Sequence, residues 1–253
     1  IVTLPSVGGI RPGPGRCGGG RRAFSRVPHG PNPGVTVGCS LGRLVVAADS
    51  RRARMPWSYA EQHRRMENPA SDSPLSARGS TPDPAVVFTA DFTSTRQWVA
   101  GRSWAYPQGG PVNPGDDKLD YLVADPAYSR SGTFRATRRR DGRWNTGLLT
   151  TEGSEEEFTV RAGDVLEARV RLPYEAGAWP AIWTWRDGDQ EIDVFEYHPD
   201  NPDLLELTNH VRGGNLYYRD PAIRPGAWID LRVEFGVRSV VWWVNGARVF
   251  ADR

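Results

Sequence analysis

Glu191-Ile192-Asp193-Val194-Phe195-Glu196 places three carboxylates within six residues of a stretch otherwise built for a strand. Alternate side chains of a strand face opposite ways, so Glu191 and Asp193 share one face while Ile192 and Val194 take the other. Strict alternation then seats Glu196 beside Ile192 and Val194 in an apolar layer, where an unpaired carboxylate is costly. One extra residue removes the conflict. A β-bulge at Val194 or Phe195 returns Glu196 to the face of the other two acids, and bulges recur beside active sites because they re-aim side chains.

Just upstream lies Gly177-Ala178-Trp179-Pro180-Ala181-Ile182-Trp183-Thr184-Trp185, joined to the acidic strand by the turn signal Asp187-Gly188-Asp189. The two runs form a predicted hairpin. Taken alone, an acidic strand reads as a solvated sheet edge that discourages aggregation. Tryptophans on the neighbouring strand change that reading, because aromatic rings stack on sugar faces and three adjacent carboxylates then line a carbohydrate cleft. Retaining glycoside hydrolysis needs two carboxyl groups about 5 to 5.5 Å apart, one a nucleophile and one an acid that later acts as base. Glu191 and Glu196 are the pair; Asp193 between them can orient the nucleophile and share a proton, since three neighbouring carboxyls cannot all ionise at their ordinary pKa values.

From Val86 onward short alternating runs separated by turn signals dominate, without a sustained helical period. Leu166, Ala168, Val170 and Leu172 oppose Glu167, Arg169 and Arg171, and Ile229, Leu231, Val233 and Phe235 oppose Trp228, Asp230, Arg232 and Glu234. Val240 to Arg248 reads as a hairpin about Asn245-Gly246, with Trp242 and Trp243 on opposite faces and one of them in the core. In Leu205-Glu206-Leu207-Thr208-Asn209-His210-Val211 the apolar positions 205, 207 and 211 share a face, which puts His210 opposite, on the cleft side of a strand next to the catalytic one. Pro199 after His198 marks the end of the acidic strand.

These residues resemble glycoside hydrolase family 16, the laminarinase and lichenase group. Glu191-Ile-Asp193-Val-Phe-Glu196 matches the family's E-x-D-x-x-E pattern with the bulged spacing, and Gly177-Ala-Trp179-Pro180-Ala181-Ile-Trp183 is similar to its G-x-W-P-A-x-W strand. Asn145-Thr-Gly147-Leu-Leu, Gly163-Asp-Val-Leu-Glu167-Ala-Arg169-Val-Arg171-Leu-Pro173 and Trp242-Trp243-Val-Asn245-Gly246 resemble three further family strands in the expected order. The resemblance implies an all-β, concanavalin-like jelly-roll sandwich of two curved antiparallel sheets. It also implies Glu191 as nucleophile, Asp193 as assisting carboxylate, Glu196 as acid/base, and Trp179 and Trp183 in sugar subsites, joined by His210 from the reading of its strand. Bulged spacing is typical of members acting on β-1,3-glucans, agars and carrageenans, so the expected activity is that of a retaining endo-β-1,3-glucanase. Departures from the pattern are the short Trp185 to Glu191 connection, Gln190 in place of a glycine, and a stop at Arg253 where the family runs on, from which the domain is expected to be incomplete at its C-terminus.

Composition divides the 253 residues into two domains. Residues 1–80 hold 12 Arg, no Lys and 4 acids, a net of +8, whereas residues 81–253 carry a net of −6. The first part is rich in Gly and Pro and has a single tryptophan, Trp57, so it is expected to be a disordered basic arm, read as sequence upstream of a start at Met55 or Met66; residues 81–253 are the sandwich. Both cysteines, Cys17 and Cys39, fall in the arm and match no metal-ligand spacing. No apolar run reaches the roughly 18 residues of a membrane span, and no charged and then apolar leader begins at Ile1, Met55 or Met66. The expected partner is a polysaccharide, with neither nucleic acid nor membrane and with the chain a monomer. No cofactor is expected and no metal in the site; the acids of Pro111 to Asp117 offer a calcium possibility without a closing ligand spacing. Two other functions use the same surface: a lectin-like binding module, which has no need of the full carboxylate set, and a transglycosylase, in which a sugar hydroxyl replaces water.

Overall fold

The computed structural model describes residues 2–3, 36–48, 85–103, 106–112, 119–186 and 190–253. In chain order the strands are β1 (Val2–Thr3), β2 (Thr36–Ala48), β3 (Val86–Thr89), β4 (Val99–Ala100), β5 (Gly110–Pro111), β6 (Asp120–Leu122), β7 (Thr133–Arg138), β8 (Trp144–Thr146), β9 (Leu148–Thr150), β10 (Asp164–Arg171), β11 (Ala181–Thr184), β12 (Ile192–Tyr197), β13 (Leu204–Asn209), β14 (Gly214–Arg219), β15 (Trp228–Phe235), β16 (Val240–Val244) and β17 (Ala247–Asp252). They make an all-β jelly-roll sandwich. One sheet runs β14-β13-β12-β11-β1-β9-β4, the other β17-β16-β15-β10-β2-β7-β8-β6-β5, with β3 paired to β2.

The alternation read from sequence sets which faces meet. Leu166, Ala168 and Val170 of β10 and Ile229, Leu231 and Val233 of β15 lie in the same core as Ile182 of β11, Val194 and Phe195 of β12 and Leu205 and Leu207 of β13, so the apolar faces of the two sheets close on each other. Each fully buried side chain of this size contributes about 1.5 to 3 kcal/mol. The β16–β17 hairpin turns at Asn245-Gly246 with both residues at positive φ, 48° and 79°, as its two-residue turn requires. Trp242 is the core member of its pair.

Two expectations are corrected here. Within the segment assigned to a disordered arm, Thr36–Ala48 is a strand that lies between β10 and β7, pairing with β10 from Ser40 to Ala48 and with β7 from Thr36 to Ser40. Its Cys39, Leu41, Leu44 and Val46 enter the core, and burial pushes the Cys39 thiol far above its ordinary pKa, leaving it a small apolar side chain. An average over eighty residues hides Leu44-Val45-Val46-Ala47, a run apolar enough to be buried once it pairs with its neighbours. Val2–Thr3 also joins a sheet, between β11 and β9; Cys17, Trp57, Met55 and Met66 lie outside the described residues. Nor is the pairing wholly antiparallel, because β6 runs parallel to β8. A three-residue strand carries too little pattern to announce its direction. Residues 113–118, the calcium possibility, and the turn 187–189 also lie outside the described residues. Among the described residues no helix is long and apolar enough to cross a membrane.

Candidate active site

The predicted hairpin is β11 and β12, and its register slips where parity demanded. Trp183 faces Asp193 and Ala181 faces Glu196, while on the other side Thr208 faces Asp193 and Glu206 faces Glu196. Val194 and Phe195 therefore intervene as two successive core residues, 0% and 1% exposed, between two residues of the opposite face. This is the bulge, and it keeps Glu196 out of the core. Trp242 reaches across from the other sheet and donates its indole N–H to the Asp193 carbonyl at 2.9 Å, pinning the bulged backbone from below.

Glu191 stands just ahead of β12, held in line by the His210 amide donating to its carbonyl at 3.0 Å. Asp193 is 3% exposed. His210 Nε2 lies 2.8 Å from Asp193 Oδ2, and the Asp193 carboxyl also hydrogen-bonds the Glu191 side chain. Burial, followed by the charges of Glu196 and Glu191, drives the Asp193 pKa well above the ordinary carboxylate range. A protonated Asp193 donates to Glu191 and favours its carboxylate form. Glu191, Asp193 and His210 each bring one donor atom within 4.8 Å of the others, close enough to share a cation. In the structure the Asp193 carboxyl is hydrogen-bonded on both sides, to His210 and to Glu191.

At the other end of the strand, Trp179 donates its indole N–H to Glu196 Oε1 at 3.0 Å. The Trp179 ring packs on His198, with centroids 4.4 Å apart, and His198 Nε2 lies 3.7 Å from Glu206 Oε1. Burial raises the Glu206 pKa as well.

All six residues singled out from sequence fall on or beside one sheet face, yet they divide by environment. Glu191, Asp193 and His210 are joined, and Trp179 is joined to Glu196. Trp183 is 6% exposed and sits edge-on to both Tyr106 and Trp185, so most of its ring is already covered. His210 spends a ring nitrogen on Asp193. Sequence reasoning missed Glu206 and Thr208, which share the face of His210 by simple alternation, and their β14 partners Tyr217 and Asn215. Tyr217 is 60% exposed on that face, and Asn215 donates to Thr208 Oγ1 at 3.1 Å. The alternation 206, 208, 210 could have found the first two; the β14 pair needed the sheet order.

No protein-family model matches the chain. The chain is 30% identical over 171 residues to a beta-glucanase of Rhodothermus marinus, covering 55% of this chain and 58% of that protein. It is 28% identical over 157 residues to an endo-1,3-1,4-beta-glycanase, EglC, of Rhizobium meliloti (strain 1021), covering 49% of this chain and 32% of that protein. The chain thus spans less than two thirds of the length of these curated relatives. Among solved structures it is similar to the laminarinase from Rhodothermus marinus, with TM-score 0.48 and 25% identity over 62% of this chain and 68% of that one. It is also similar to the endo-beta-1,3-glucanase from Pyrococcus furiosus, with TM-score 0.46 and 22% identity over 64% of this chain and 72% of that one.

Proposed function

We propose that the chain is a retaining endo-glycosidase that hydrolyses β-glycosidic bonds of a polysaccharide, with β-1,3-glucan of the laminarin type as substrate. The observation that carries the reading is the bulge, which turns Glu191, Asp193 and Glu196 to one face against the local pull of strand parity. The similarity to β-glucanases agrees with it. Glu191 attacks the anomeric carbon while Glu196 gives its proton to the departing glycosidic oxygen; water then enters, yields a proton to Glu196, and its oxygen displaces Glu191 from the anomeric carbon. Asp193, neutral and hydrogen-bonded to Glu191, keeps the nucleophile ionised in the first step and stabilises the carboxylate that Glu191 regains in the second. Trp179 aligns Glu196 through its N–H. The face beyond Glu196, which includes Tyr217, offers an open ring for sugar stacking.

The experiment is reducing-end release from laminarin, lichenan, agarose and carrageenan. Laminarin and lichenan should be cut and the two galactans left intact; a folded protein that releases nothing from any of them refutes the hydrolase reading and leaves the binding module.

A further inference from the structure

Opposite Glu196 in the β12–β13 ladder stands a fourth carboxylate, Glu206, half-buried and on the same face. Directly opposed residues of an antiparallel pair have Cβ atoms about 4.5 to 5.5 Å apart, within which like charges repel strongly when water is partly excluded. We propose that Glu206 is a positioning residue that holds the proton on Glu196 through like-charge opposition, and so sets how far into the alkaline range the acid/base remains protonated.

The other groups around Glu196 do not supply this effect. From its own strand Asp193 lies within Coulombic reach of Glu196 as well as of Glu191, but its raised pKa keeps it neutral, so below that pKa it brings no like charge. From the segment before β11, Trp179 donates to Glu196 Oε1, which favours the ionised form and opposes Glu206. From β11 the facing residue is Ala181, which carries no charge. From β14 the next residue in the row is Tyr217, and the nearby Arg219 is ion-paired with Asp203. His198, just past β12, lies 3.7 Å from Glu206 and, when protonated, offsets its charge. The repulsion on Glu196 is therefore larger with His198 neutral than with it protonated. Burial raises Glu206 too, so the opposed pair keeps its first proton to higher pH than an isolated glutamate.

The kinetic arm of the test rests on the proposed hydrolase reading; the titration arm does not. In the full chain, Glu206→Gln removes the charge and Glu206→Asp keeps it. The alkaline limb of kcat/KM on laminarin, which reports the free enzyme's acid, should move down by about half to one pH unit in Glu206→Gln and far less in Glu206→Asp, with the acidic limb unmoved in both. A loss of fold would lower activity at every pH and shift neither limb alone. Independently of turnover, carbonyl-13C glutamate labelling, with the Glu196 signal assigned by its absence in Glu196→Gln, should show the Glu196 midpoint falling by a similar amount in Glu206→Gln. An unmoved midpoint overturns the proposal. If wild type cleaves nothing, the function proposed above fails, and the midpoint alone decides the role of Glu206.

Discussion

Asp193 is almost without solvent, yet hydrogen-bonded on one side to His210 and on the other to Glu191. Its pKa rises to about 9 when folded, against about 3.9 in an unfolded chain. Between those values the folded state binds a proton that the unfolded state has released, so this group makes stability fall as pH climbs through that window. Asn cannot ionise. Asp193→Asn should therefore melt higher than wild type at pH 8 by a few degrees and show little gain at pH 4; thermal melts at both values check this, and a gain confined to acid pH contradicts it. Trp179→Phe keeps the ring on His198 but removes the donor to Glu196. The ionised form loses its hydrogen bond, so the Glu196 pKa rises and the alkaline limb of the pH–rate profile moves upward, opposite to Glu206→Gln. At this scale the three acids were legible because parity and burial conflict within six residues. Trp183 was not, since its cover comes from Tyr106, distant in sequence.

The bulge and the second strand govern what individual elements do. Deleting Val194 leaves Phe195 as the single residue between Asp193 and Glu196, which restores strict alternation and keeps Glu196 opposite Ala181 and Glu206 on the face of Asp193, at the cost of one core side chain. Because two core residues fill that gap, at 0% and 1% exposure, the deletion should cost more than about 2 kcal/mol in urea unfolding. Val46, 0% exposed in β2, gives the parallel test for the segment read as an arm. Val46→Asp buries an unpaired carboxylate and should lower stability by more than about 3 kcal/mol; an unchanged urea midpoint would show that β2 is not part of the core. Strands with several alternations, such as β10 and β15, could be read directly. β2 was lost to averaging over Gly, Pro and Arg on either side, and the parallel β6–β8 pair to its brevity.

Across the molecule, β12 sits inside its sheet, flanked by β11 and β13, and is fastened through the Asp193 carbonyl to Trp242 of the opposite sheet. The two faces of β12 thus divide, one to the core and one to the carboxylates Asp193 and Glu196, the arrangement that the proposed mechanism requires of a rigid site. The sandwich class followed from periodicity alone, whereas the order of strands, and with it the row Ala181, Glu196, Glu206, Tyr217, depends on non-local pairing that no single stretch encodes. The central claim is that Glu191 and Glu196 perform a double displacement. It is tested most directly by following laminarin cleavage with proton NMR in wild type, Glu191→Gln and Glu196→Gln. The account predicts that the first product formed has the β configuration and that each variant loses at least about a hundredfold in kcat. An initial α product, or cleavage undiminished in either variant, would contradict it.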